Sequence, residues 1–179
     1  MIPTLRRSRR LRSFHLRTSG VRNMKVTIEK MPELRVGAVH HVGPYMEIGR
    51  AFAKLGEIVE RAGVRKEGDM VMLAIYHDDP RSTPPDKLRS EAALSFPRGA
   101  SLPKDLEEST VPAGRYARTT HVGPYNTLDT AWRSLIGEWL PASGEQMRAR
   151  PSYEIYRNTP ETTKPQDLRT DLYIPLEEK

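Results

Sequence analysis

Glu154 is the residue in this sequence best placed to do chemistry. It lies in the run Ser152-Tyr153-Glu154-Ile155-Tyr156. A strand's period of two puts Ser152, Glu154 and Tyr156 on one face and Tyr153 and Ile155 on the other. A carboxylate among aromatic side chains in a cleft selects cations. Charge matching draws the cation in, and tyrosine faces add a cation–π attraction of about 0.5–2 kcal/mol. The plainer alternative is a strand glutamate that is exposed, or paired with Arg169 or Arg89.

The aromatic candidates around it are Tyr45, Tyr76, Tyr125, Trp132, Tyr156 and Tyr173. Tyr76, Tyr156 and Tyr173 stand on segments that read as strands and are expected as cleft walls. Tyr45 and Tyr125 open two helices within a repeated motif, so either a structural or a symmetric cleft-lining role fits them. Trp132 and Trp139 lie on the apolar face of one helix. Large aromatics there belong first to the core, and the alternative is that one of them edges the cleft.

Other polar residues carry plainer readings. His41 and His121 each precede a tight Val-Gly-Pro turn and are expected to hydrogen-bond it; zinc would need further ligands nearby. His40 is expected to be exposed. Asp78 and Asp79 suit a turn, and Arg89 and Arg169 suit local ion pairs. The sequence has no cysteine, which removes thiolate chemistry and disulfides and fits a cytoplasmic setting. It contains neither a phosphate-binding glycine fingerprint nor a nucleophile elbow. Catalysis, if there is any, must use Glu154, a tyrosine and water. No cofactor and no metal are expected.

These positions become meaningful through an internal repeat. His41-Val42-Gly43-Pro44-Tyr45 recurs as His121-Val122-Gly123-Pro124-Tyr125, an offset of 80. The same offset pairs Pro32 with Pro112, Leu55 with Leu135, Ile75-Tyr76 with Ile155-Tyr156 and Leu88-Arg89 with Leu168-Arg169. Such a run in one register marks two copies of one unit, at about 25–97 and 105–177. Positions that both copies share read as structural, and positions held by one copy alone read as functional. Glu154 stands where the first copy has Ala74, and Trp132 and Trp139 stand where it has Phe52 and Val59.

Within each copy, residues 25–31 and 34–40 read as extended. Apolar residues at spacings of three and four from Tyr45 to Ala62, and from Tyr125 to Trp139, predict a helix. Gly63 and Pro141 are expected to end the two helices. Residues 70–76, 88–96, 152–156 and 168–176 read as further strands. The unit is β-α-β-β and the fold class α+β. Two such units can join into one antiparallel sheet with both helices on one face and a concave cleft opposite.

The net charge of +6 would suggest a nucleic-acid partner. However, residues 1–23 hold seven arginines without any lysine or acid, so residues 24–179 carry −1. The folded part is therefore not expected to bind nucleic acid directly. The leader reads as a transit peptide, as an arm that touches nucleic acid or anionic lipid, or as an untranslated stretch with Met24 as the true start; the last is preferred, and disorder is expected. No stretch is apolar enough for a membrane helix.

The opening MKVTIEKMPELRVGAVHHVGPY resembles that of the GyrI-like (DNA gyrase inhibitor-like) family. Ile75–Pro80 with Thr83–Arg89, the strand Tyr153–Tyr156 and the closing Arg169–Leu176 are similar to that family as well. Together they cover Met24 to the C-terminus. The resemblance implies a bacterial small-molecule-binding domain, related to the effector-binding domains of AraC-type and multidrug-responsive regulators. It points to Glu154 as the acid that senses ligand. Residues 1–23 are too short for a helix-turn-helix. Three functions follow from the resemblance: sequestration or sensing of a hydrophobic or cationic small molecule or toxin; hydrolysis of strained electrophiles such as cyclopropanoid DNA alkylators, with Glu154 as base; and toxin resistance through DNA gyrase as protein partner.

Overall fold

The computed structural model describes residues 24–65 and 68–179, and the leader expectations lie outside the described residues. Eight antiparallel strands form one sheet: β1 (Val26–Met31), β2 (Leu34–Val42), β3 (Met72–Tyr76), β4 (Arg89–Ser95), β5 (Glu107–Val111), β6 (Gly114–Val122), β7 (Ser152–Tyr156) and β8 (Arg169–Pro175). Their order across the sheet is β1-β6-β8-β7-β3-β4-β2-β5. The expected α+β class and both repeats are present. Each β-α-β-β unit keeps three adjacent strands, β3-β4-β2 and β7-β8-β6. The leading strands cross over. β1 pairs with β6 of the second copy, and β5 pairs with β2 of the first. The halves are thereby stitched together twice, in addition to the central β3–β7 pairing.

The repeated His-Val-Gly-Pro-Tyr motif turns each unit from strand to helix. Gly43 and Gly123 adopt φ of 135° and 144°, a region that disfavours any side chain. Their amides donate to the Leu88 and Leu168 carbonyls at 2.8 and 2.9 Å. The proline follows, and a 3₁₀ turn begins at Tyr45 or Tyr125. His41 Nε2 contacts the Pro44 carbonyl at 3.2 Å, and His121 Nε2 contacts Thr127 Oγ1 at 2.9 Å. The turn role expected for both imidazoles is what they have.

α1 (Gly49–Arg61) packs on β2 and β4. It buries Ala51, Leu55 and Ile58 in a cluster with Ala74, Ala92 and Leu94. In the second copy α2 (Leu128–Arg133) continues through a π-helical turn (Ser134–Trp139) into α3 (Leu140–Ser143). Leu128, Ala131 and Leu135 pack there with Ala117, Leu172 and Ile174. Pro141 therefore does not end this helix. The Leu140 amide reaches back to the Leu135 carbonyl, and this widened turn takes in a ring that would clash in an α-helical turn. The helix ends at Gly144, left-handed at φ 71°.

The face of the sheet away from the helices carries its own buried cluster, including Leu73, Ile75, Tyr116, Tyr153, Ile155 and Tyr173.

Candidate functional site

Directly paired residues of neighbouring strands share a face. In β3 and β7 the registered pairs include Ala74 with Glu154, flanked by Met72 with Tyr156 and Tyr76 with Ser152. Ala74 and Glu154 are also equivalents under the offset of 80. The pseudo-twofold axis of the molecule therefore runs between them. Within the β3–β7 ladder this is the register pair that is also an equivalent pair. Cβ atoms of such partners lie about 4.5–5.5 Å apart. Two buried carboxylates at that distance could not both ionise. A second acid here would have to keep a proton, and only the second copy carries an acid.

Glu154 is 1% exposed. It accepts three hydrogen bonds. Trp132 Nε1 donates to Oε1 at 2.5 Å, Tyr156 to Oε2 at 2.7 Å and Tyr76 to Oε2 at 3.1 Å. The rings close around it with the same twofold logic. Tyr76 meets Tyr45 from its own copy (centroids 4.8 Å) and Trp132 from the other (6.0 Å). Tyr156 meets Tyr125 from its own copy (5.3 Å) and Phe52 from the other (5.4 Å). Each of these rings is half-buried, with the acid on the floor beneath them.

The hydroxyls of Tyr45 and Tyr125 point elsewhere, to the carbonyls of Asp78 (2.7 Å) and Asn158 (3.4 Å). These two residues thus take both roles left open for them: the hydroxyl ties the helix start to the following loop, and the ring walls the cage. Burial pushes the Tyr45 phenol up to about 12.

Six of the seven expected residues gather here: Glu154, Tyr156, Tyr76, Tyr125, Tyr45 and Trp132. They do so on the helix-bearing face, in the gap between α1 and α2, and not on the opposite face where the cleft was expected. The seventh, Tyr173, is corrected out of the group. Its side chain emerges on the other face, stacked on Tyr153 at 4.5 Å, and its hydroxyl accepts from Arg157 at 3.0 Å. The reason is parity. Leu172 pairs with Glu154 in register, so its neighbour Tyr173 must point the other way. Phe52, the equivalent of Trp132, is a wall residue that sequence reasoning had noted only as that equivalent. The offset that relates it to Trp132 was the signal that could have found it.

The other buried acids of the sheet show how unusual Glu154 is. Glu91 and Asp171 are equivalents under the offset and lie on the opposite face. Glu91 pairs with His77 at 2.9 Å and Asp171 with Arg157 at 2.6 Å. Glu154 has no such partner. Among the described residues no lysine, arginine or histidine forms an ion pair with it. Burial raises its pKa above the ordinary carboxylate range, against the lowering effect of its hydrogen bonds from Tyr156, Trp132 and Tyr76. The alternative of pairing with Arg89 is not realised, because Arg89 holds Asp78 at 2.7 Å.

Trp132→Phe would make the two halves of the cage alike and leave Oε1 without its donor. We expect the unfolding free energy to fall by about 1–2 kcal/mol, read from the urea midpoint. An unchanged midpoint would show that the bond contributes nothing net.

The profile of the GyrI-like small molecule binding domain matches residues 24–177. The chain belongs to this family. A protein from Erwinia billingiae named DNA gyrase inhibitor is 30% identical over 158 residues, covering 86% of this chain and 97% of that protein. One of the same name from Cronobacter sakazakii is 28% identical over 158 residues, covering 86% and 98%. Among solved structures, the C-terminal domain of EcmrR aligns with a TM-score of 0.73 at 18% identity, covering 87% of this chain and 99% of that domain. SAV2435 bound to tetraphenylphosphonium aligns with a TM-score of 0.61 at 12% identity, covering 86% and 94%. At those identities the two structures speak for the fold. No helix among the described residues is long and apolar enough to cross a membrane.

Proposed function

We propose that this protein binds a hydrophobic organic cation between its two helices, for sequestration or effector sensing in the cytoplasm. Glu154 neutralises the charge, and the rings of Tyr45, Tyr76, Tyr125, Tyr156, Trp132 and Phe52 receive the apolar groups. One observation carries the reading: a buried carboxylate on the pseudo-twofold axis, enclosed by aromatic rings and lacking a counter-ion. Charge and desolvated ring faces act in the same direction on a ligand of this kind. The tetraphenylphosphonium found on SAV2435 is of this class.

The test is calorimetric titration of the full chain with tetraphenylphosphonium and with neutral triphenylphosphine oxide. We expect the cation to bind at least tenfold more tightly, the equivalent of about 1.4 kcal/mol. Equal affinity would remove the charge-matching role of Glu154. Mass spectrometry of recovered ligand, repeated with cyclopropanoid electrophiles, separates binding from hydrolysis. A product with added water, formed by wild type but not by Glu154→Gln, would make the protein a hydrolase.

A second reading is favoured by the name DNA gyrase inhibitor on the relatives. Here the protein docks on gyrase through an outer surface. Co-purification with gyrase that survives mutation of Glu154 would support it.

A further inference from the structure

We propose that the empty cage holds Glu154 as the neutral carboxylic acid, and that a bound organic cation expels this proton, so that binding exchanges one proton for one cation. The inference rests on the cation-binding reading above and adds its coupling to pH.

Burial without a counter-charge carries it. Glu154 is 1% exposed, and no lysine, arginine or histidine among the described residues pairs with it. Its Oε2 contacts the hydroxyls of Tyr156 at 2.7 Å and Tyr76 at 3.1 Å. In the neutral acid Oε2 donates its proton to one of these hydroxyls and accepts from the other, so both contacts are kept. Oε1 stays an acceptor in either state, because the Trp132 indole can only donate.

The surroundings give the charge no other home. The cage is faced by Tyr76 from β3, Tyr156 from β7, Trp132 from α2, Phe52 from α1, and Tyr45 and Tyr125 from the 3₁₀ turns. Leu172 of β8 pairs with Glu154 and Thr170 with Tyr156. Ser90 of β4 pairs with Tyr76, and Ala92 of the same strand with Ala74. All of these are neutral. The two imidazoles on this face, His41 and His121, are taken up by the Pro44 carbonyl and the Thr127 hydroxyl. Of the helix charges, Arg133 is paired with Asp129. An isolated carboxylate this deeply buried takes up a proton in preference to remaining charged. A cation entering the cage supplies the missing positive charge. The O–H bond of Glu154 breaks, its electron pair stays on Oε2, and the proton leaves to buffer.

Two measurements test this on the full chain. The first is an infrared difference spectrum of the empty wild type against Glu154→Gln at neutral pH. The C=O stretch of a protonated carboxyl should be present in wild type only; its absence would overturn the proposal whether or not any ligand binds. The second is calorimetry with tetraphenylphosphonium in two buffers of different ionisation enthalpy at one pH. We expect about one proton released per cation bound, and an affinity that rises about tenfold per pH unit while the empty site is protonated. Glu154→Gln should abolish both the release and the pH slope. Tight binding with no proton release would overturn the exchange and leave the cation-binding reading standing. Failure of the cation to bind wild type at all would overturn both.

Discussion

Glu154→Gln is expected to stabilise the empty protein while weakening its hold on organic cations. The glutamine amide is neutral and close in shape to the protonated acid. Its oxygen accepts from Trp132, and its NH2 group donates to the hydroxyl oxygens of Tyr76 and Tyr156, which turn their own hydrogens elsewhere. What it removes is the cost of keeping a carboxyl protonated in the fold at a pH where the unfolded chain ionises. We expect a gain of about 1–3 kcal/mol at neutral to alkaline pH. At roughly 2–4 °C per kcal/mol for a chain of this size, that is a melting temperature several degrees higher.

The pH dependence fixes the sign. The folded-state pKa of Glu154 is raised. Its contribution to stability is therefore intact below the ordinary carboxylate range. It is lost as pH climbs from that range through the raised folded value, because the unfolded chain ionises first. Glutamine does not titrate, so the difference between variant and wild type should widen with pH across that window. In binding, loss of a buried charged partner costs about 1.5–3 kcal/mol, or roughly 10- to 150-fold in affinity for tetraphenylphosphonium. Neutral triphenylphosphine oxide should be affected far less. A variant that is less stable than wild type at every pH would contradict the account of an unbalanced carboxyl.

The second large effect is expected from Ala74→Glu, across the pseudo-twofold axis. Ala74 is 0% exposed and faces Glu154 directly in the β3–β7 ladder. A second carboxyl there adds volume to a packed site and a second acid where one already lacks a counter-ion. It also meets Phe52 where Glu154 meets Trp132, so it gains no indole donor. We expect a loss above about 4 kcal/mol, which belongs to the rare severe class of substitutions. Moving the acid with the double change Ala74→Glu and Glu154→Ala should recover part of that loss. Adding Phe52→Trp and Trp132→Phe should recover most of the rest, because the cage is then the original one rotated about its axis. Urea denaturation of the series reads the order. If the single variant is as stable as wild type, the axis does not pass where the register puts it.

The glycine in each strand-to-helix turn shows why part of this protein could be read without coordinates. Gly43 and Gly123 are required by backbone φ, and the Tyr that follows each of them is required by a loop carbonyl. Both are local demands, so they recur wherever the unit recurs. The repeat made them visible, and departures from it pointed to Glu154 and Trp132. Pro141 misled for the opposite reason. Its effect depends on a π-helical turn that no local pattern announces.

By itself the sequence determined the two units, the strand and helix periods, and the identity of the asymmetric acid with its aromatic company. These follow from side-chain periodicity and from comparison of one copy with the other. Tertiary structure alone decided three further points. The leading strands β1 and β5 exchange between halves, because edge pairing is chosen by the assembled sheet and not by the strand. The aromatic cage around Glu154 lies on the helix-bearing face and Tyr173 on the other, because the assembled register of β7 and β8 and the packing of α1 and α2 set the two faces. And Ala74 meets Glu154 on the axis, because only the β3–β7 register brings residues 80 apart in sequence into contact. At that contact the chain carries one acid, Glu154, facing Ala74 across the axis.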